Sequence, residues 1–146
     1  MKKYNLEDVK NSLKSAGLKK NDSIFLTTGL PNLGIPNTSK LNYIHIACNW
    51  IFDSIKEIIG PKGNIFVPTY TYSFTNKKKF CKNKTKSEIG YFPNFFLKQN
   101  KIIRSSDPMF SIAGLGPKSK KILQKIPNNS FGKDCIFERF LKINKM

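Results

Sequence analysis

The feature that most constrains this chain is a long amphipathic segment set between two short apolar runs. From Leu41 to Ile59, apolar residues recur at 41, 44, 48, 51, 52, 55, 58 and 59, a helical period with a wide stripe for burial. Gly60-Pro61-Lys62-Gly63 ends that helix, and Asn64-Ile65-Phe66-Val67 follows as a β-prone run. Ahead of it lies another such run, Ser23-Ile24-Phe25-Leu26-Thr27-Thr28 with Gly29 behind it. Strand, helix, strand in that order predicts a parallel crossover.

The remaining elements fit around this unit. Asn5 can cap a helix with Asp8 three residues on, and Leu6, Val9, Leu13 and Ala16 share a face with Gly17 at the exit, so a helix is expected over about 5–16. Leu30 to Ser39, with Pro31, Gly34 and Pro36, reads as an irregular loop at the carboxyl end of the first strand. Thr75 to Lys86 is polar and basic, hence an exposed loop, and Phe92 to Gln99 can form a short helix with Pro93 in its first turn. Ser111 to Leu115 offers a third strand, and Pro117 to Lys125 and Asp134 to Lys142 read as helices. The pattern predicts an α/β fold, a layered α/β sandwich with a partly parallel sheet and loops gathered at strand ends, where ligands usually sit. Three strands are few for so many helices, and Leu141 to Met146 falls where another strand is due. The expectation is therefore one α/β domain over 1–146, incomplete as a fold and the N-terminal portion of a longer one.

Charge is the loudest compositional signal, with 26 basic residues against 9 acidic ones and a net +17. Two readings stay open. A surface of that sign suits nucleic acid or another anionic partner. Yet only Arg104 and Arg139 are arginines, and the guanidinium fork is what base edges and phosphates favour. Asn, Ile, Phe and Tyr are also abundant and share A/T-rich codons with Lys, so genome bias alone supplies a similar surface. No helix-turn-helix, zinc-finger or RNP-like motif supports a nucleic-acid binder. No apolar run reaches the roughly 18–20 residues of a membrane span, and the polar start is no signal-peptide core, so a cytoplasmic protein with no membrane partner is expected. Cys48, Cys81 and Cys135 are far apart, without zinc-type spacing, and read as free thiols; no metal site is expected.

Several segments together resemble one family. Gly60 to Phe74 (GPKGNIFVPTYTYSF) is similar to the GPxG turn, apolar strand and PT-aromatic loop of aminoglycoside 3-N-acetyltransferases. Ser87-Glu88-Ile89-Gly90 resembles the family's PSExG element, and Ile103 to Ser111 (IRSSDPMFS) its RSxHPxxS segment. Gly114-Leu115-Gly116-Pro117 and Phe131 to Leu141 (FGKDCIFERFL) resemble its GP-helix start and FGxxSPFxRLL block, and Thr27-Thr28-Gly29 stands at the place of its HSS loop. The resemblance implies transfer of acetyl from acetyl-CoA, as co-substrate, to an amino-sugar amine. It also implies a general base in a TxxHxxE element of the family's carboxyl part, which has no counterpart in these 146 residues. The chain departs from the pattern at Thr27-Thr28, at Asp107 where a histidine is usual, and at Cys135 where a serine is usual.

Acetyl transfer to an amine needs a neutral amine, donors for the tetrahedral oxyanion and a grip on the CoA arm. On the resemblance, the cofactor-binding candidates are Thr27, Thr28 and Gly29 after the first strand, Thr69, Tyr70 and Thr71 after the second, and Ser111 beside the Asp107-Pro108 turn. Without it, Thr and Tyr there are ordinary strand-end residues. His45, the sole histidine, falls on the Leu41, Cys48, Phe52 stripe and reads as structural, buried or at the helix edge; Cys135 has no histidine near in sequence to activate it. No residue of the chain is assigned catalysis. The chain is expected to be inactive alone and to need a missing C-terminal half, the alternatives being a basic nucleic-acid-binding protein or a non-catalytic remnant. The lysines at 77–79, 82, 84 and 86 read as a solvated loop or as contacts to an anionic acceptor, such as a nucleotide-linked amino sugar in place of a polycationic aminoglycoside.

Overall fold

The computed structural model describes residues 2–143, and the protein is a mixed α/β chain that divides into two compact units. The first holds the chain through Asp22 together with Thr28–Gly63; the second holds Ser23–Thr27 and the chain from Asn64 onward.

In the first unit, strand β1 (Lys3–Tyr4) leads into α1 (Leu6–Ser15). Asn5 and Asp8 form the expected capping box, each side chain accepting from the other's backbone N–H at 2.9 and 2.8 Å. None of the residues of α1 is fully buried, so its apolar face is only half covered. The loop expected over 30–39 is more ordered than its prolines suggested. It carries a 3-10 turn (Leu30–Leu33) and strand β3 (Ile35–Pro36), which pairs parallel with β1. Pro36 does no harm there, because the ladder uses the N–H groups on either side of it, Ile35 to Lys2 O at 3.0 Å and Asn37 to Tyr4 O at 2.7 Å. Two-residue strands leave no periodicity to read, and only the tertiary pairing creates them.

Helix α2 (Tyr43–Ile59) starts at Asn42, whose side chain caps the N–H of His45 at 3.2 Å. Its stripe is buried at Ala47, Cys48, Ile51, Phe52, Ile55 and Ile59. The stripe fails at its amino end: Leu41 lies outside the helix and fully exposed, and His45 is exposed. The structural histidine therefore stands at the helix edge in the first turn and is not buried. The GPxG turn has a steric reason. Gly60 is the C-cap at φ 68°, and a Cβ on Gly63 would sit 2.4 Å from Ile59 Cγ1.

The second unit is built on an open four-stranded sheet, ordered β2 (Ser23–Phe25), β4 (Asn64–Pro68), β6 (Ile112–Leu115), β5 (Ile103–Arg104). β2 and β4 are parallel, as the crossover predicts, while β6 runs antiparallel to both β4 and β5. β2 is shorter than the apolar run suggested, and β5 was not foreseen, its two residues being too few to register as a strand. Helices α3 (Tyr91–Phe96), α4 (Ser119–Leu123) and α5 (Ile136–Ile143) complete the unit. α5 runs to Ile143, and residues 144–146, part of the stretch where a further strand was due, lie outside the described residues. Phe66, Ile112, Ile122, Leu123, Ile136 and Ile143 form the core, flanked by Phe25, Phe137 and Phe140. Gly114 in β6 lets α4 close on the sheet, since a Cβ there would meet Leu123 Cδ1 at 2.8 Å and Phe66 Cδ1 at 3.0 Å. Among the described residues, no helix is long and apolar enough to cross a membrane.

All three thiols are free, but they differ in access. Cys48 on α2 is fully buried, and burial pushes its thiol up from 9.0 to about 12, whereas Cys81 is half-buried. A folded value above the unfolded one means that this contribution to stability is present below pH 9 and fades as pH rises towards 12. Iodoacetamide at mildly alkaline pH should label Cys81 in the native protein and Cys48 only after denaturation, as read by peptide mass spectrometry; equal native labelling would contradict this burial.

Candidate functional site

Because β2 and β4 are parallel, the segments that follow them leave the same edge of the sheet. Leu26 N–H still donates to Phe66 O at 2.8 Å, after which Thr27 emerges exposed. β6 is antiparallel, so its amino end and Ser111 come to this edge as well. The fold thus brings together five of the sequence candidates, Thr27, Thr69, Tyr70, Thr71 and Ser111. Thr28 and Gly29 belong to the first unit, where Gly29 precedes the 3-10 turn and is exposed.

The hydroxyls at this edge are held by the protein itself. Thr69 is fully buried; its N–H and its Oγ1 both donate to Ser111 O, at 2.8 and 3.0 Å. Ser111 Oγ, also fully buried, donates back to Thr69 O at 2.8 Å. Thr71 Oγ1 lies 2.6 Å from Pro108 O and 2.9 Å from Ser73 Oγ. The loop backbone is pinned from the SExG element: Glu88 N–H and Ser87 Oγ donate to Tyr70 O, at 3.0 and 3.3 Å, and the Glu88 carboxylate accepts from Tyr72 N–H. In the sequence Ser87 and Glu88 stand out only as part of a motif. Their work is to fix the shape of the PT-aromatic loop.

At the centre of the network is Arg104, which sequence reasoning passed over. It ends β5, buried, and its fork reaches three segments. Nε donates to Thr69 Oγ1 (3.1 Å) and Ser111 Oγ (3.2 Å), and Nη2 to Thr69 O (2.6 Å) and Ser111 Oγ (3.0 Å). Nη1 reaches the basic loop at Lys82 O (3.4 Å) and Thr85 O, while the Phe80 ring covers the guanidinium at 5.0 Å. The loop expected to be simply exposed over 75–86 is therefore anchored in its second half. Among the described residues no carboxylate pairs with Arg104, and burial lowers its pKa to about 10, which leaves it charged at neutral pH. The available signal was scarcity: a chain that uses lysine nearly everywhere keeps arginine only at 104 and 139.

Asp107 caps its own turn, Oδ1 accepting from the N–H groups of Met109 (2.8 Å) and Phe110 (2.7 Å) and Oδ2 from Ser130 Oγ (2.6 Å). Tyr70 stays protonated through neutral pH, its pKa raised by burial first and by the Asp107 charge second. Its ring packs edge-on against Phe110 at 5.3 Å, and Phe110 against the exposed Phe131 at 5.1 Å, which gives the edge an aromatic wall. Cys135 is buried and its sulfur accepts from Glu138 N–H at 3.5 Å, a capping role at the start of α5.

Comparison with known proteins follows the same lines. The structure of the aminoglycoside acetyltransferase AAC(3)-Xa superposes with a TM-score of 0.81 at 18% identity, over 97% of this chain and 54% of that one. AAC-IIIb in a binary complex with CoASH gives 0.79 at 16%, over 97% and 57%. AAC-VIa bound to sisomicin also gives 0.79 at 16%, over 97% and 57%. The chain thus spans a little over half the length of the enzymes whose fold it shares. No curated protein sequence matches it. The family model for aminoglycoside 3-N-acetyltransferases matches residues 37–145, which include the PT-aromatic loop, the SExG clamp and Arg104. By that match over most of its length, the chain belongs to the aminoglycoside 3-N-acetyltransferase family.

Proposed function

We propose that this chain carries the acetyl-CoA-gripping portion of an N-acetyltransferase that acylates an amino-sugar amine. The observation that carries the reading is the exit of the Thr27 and Thr69–Thr71 segments from one sheet edge in a member of this family. In the reaction the amine nitrogen bonds to the thioester carbonyl carbon, the C–S bond breaks, CoA leaves as its thiol and the amine loses a proton to a base. The chain's part is to hold the CoA arm at this edge and to keep the loops there rigid. Rigidity comes from the Thr69, Ser111 and Arg104 network, which turns the hydroxyls of Thr69 and Ser111 inwards and ties the loop backbone to β6 through Thr69 N–H and Ser111 O. A relative with CoASH bound supports acetyl-CoA as the co-substrate.

The test is CoA affinity by calorimetry. Thr27 stands exposed at the sheet edge and belongs to the same unit as Thr69–Thr71. Thr27→Trp should therefore fold normally yet weaken CoA by about tenfold or more, by filling the space at the edge. Unchanged affinity with an unchanged melting temperature would refute the placement.

A further inference from the structure

Behind the Arg104 network the second unit opens a groove of about 670 Å³, large enough for a small ligand. Its walls are the second half of the basic loop and the segment after α3, and six of its thirteen lining residues are cations: Lys82, Lys84, Lys86, Lys98, Lys101 and Arg104. None is acidic. The whole chain has 26 cations in 146 residues, so a general lysine bias yields two or three in a lining of this size; the groove concentrates them. Asn83 and Asn100 add amide groups, and Leu97 and Ile102 an apolar floor. Arg104 is the buried end of this field. Its N–H groups are all turned to protein acceptors, so it offers the groove charge without a free donor.

We propose that this groove binds a small ligand bearing a di- or triphosphate group, with the lysine ammonium groups as phosphate contacts and the apolar floor under the rest of the ligand. Lysines meet phosphate as mobile point charges, and a bound anion relieves their mutual repulsion while supplying the counter-charge that Arg104 lacks within the protein. The inference does not depend on acetyl transfer, and its test reads binding alone.

The full chain would be titrated calorimetrically, at fixed physiological ionic strength, with pyrophosphate, ATP, CoA and inorganic sulfate. The variants are Lys84→Gln/Lys86→Gln/Lys101→Gln, all exposed groove positions, and Lys14→Gln/Lys20→Gln/Lys40→Gln, which removes the same net charge from exposed positions in the first unit. Pyrophosphate and ATP should bind more tightly than sulfate, and lose about tenfold or more in affinity in the groove variant but not in the control. An ATP preference over pyrophosphate identifies a nucleotide as the source and equal affinity a free polyphosphate. CoA showing the same groove-specific loss identifies the co-substrate's own phosphates. Equal losses in both variants, or no preference over sulfate, would overturn the proposal in favour of bulk charge. So would an oligonucleotide that displaces ATP and binds far more tightly with a steep salt dependence, which would make the groove a nucleic-acid track.

Discussion

Replacing Arg104 by Ala should lower stability by about 3–5 kcal/mol, because Thr85 O loses its Arg104 donor, Thr69 O and Ser111 Oγ each lose one of their partners, and the buried side chain that joins β4, β6 and the basic loop is gone. Against a typical domain stability of about 5–15 kcal/mol, that is a drop on the order of 10 °C in melting temperature. Lysine should not rescue it. A single ammonium cannot donate at once to β4, β6 and the basic loop as the planar fork does, so Arg104→Lys should recover less than half of the loss. A second readout separates this role from general core damage. Once its Lys82 and Thr85 carbonyls are released, the loop should be nicked by trypsin under native conditions at Lys82, Lys84 or Lys86, sites that the wild type protects better. Wild-type stability with wild-type trypsin resistance in Arg104→Ala would show that the network is decorative.

The two arginines also explain why so much of this fold was legible and so little of its site. Elements longer than a turn announce themselves by period and cap, as α1 does through Asn5 and Asp8 and α2 through its stripe and the Gly60 exit. The β2–β4 crossover needed only that order of elements. The β1–β3 ladder and β5 gave no such signal, since two residues have no period and their strand character comes from partners far along the chain. The apolar stripe overran the amino end of α2 for a related reason: Leu41 and Ile44 extend the pattern, yet Leu41 precedes the helix and Ile44 stays 38% exposed, so of the two places open to His45 the helix edge is the one it takes. At the site, order along the chain located Thr69–Thr71 and Ser111 but could not say which way their hydroxyls point. Those of Thr69 and Ser111 point at Arg104, 35 residues on from Thr69, and that of Thr71 at Pro108 O, relations that only the folded sheet creates.

Arg139 shows the same logic at lower stakes, binding Asp134 through Nε and Nη2 (3.0 and 2.6 Å) and the Gln124 and Lys125 carbonyls through Nη1 and Nη2 (2.8 and 3.0 Å) at the foot of α5. Wherever several fixed acceptors must be met by one side chain, the chain uses arginine; wherever charge alone suffices, it uses lysine. The composition that first suggested nucleic acid is thus compatible with a lysine surface of mixed origin, and the function has to be sought in the sheet edge and the groove.

Given acetyl-CoA and an amino-sugar acceptor, the 146-residue chain by itself should release CoA thiol no faster than a protein-free control. The acceptor amine is mostly ammonium near neutrality, and proton removal by a positioned base contributes about 10²–10⁴-fold to such reactions. The side chains at the sheet edge do not offer that base. Tyr70 holds its proton through neutral pH, the Asp107 carboxylate is occupied by two backbone N–H groups and Ser130, and the Glu88 carboxylate by Tyr72 N–H. His45 belongs to the first unit and stands exposed in the first turn of α2. The assay should include a polycationic aminoglycoside and a nucleotide-linked amino sugar over a salt series, because a body of net +17 repels the first and attracts the second within a Debye length of about 8 Å. CoA binding measured in parallel keeps the result interpretable: binding without turnover fits a chain that grips the co-substrate and lacks the base. Thiol release well above the control, lost in His45→Ala, would instead make His45 the base and the chain a self-sufficient enzyme.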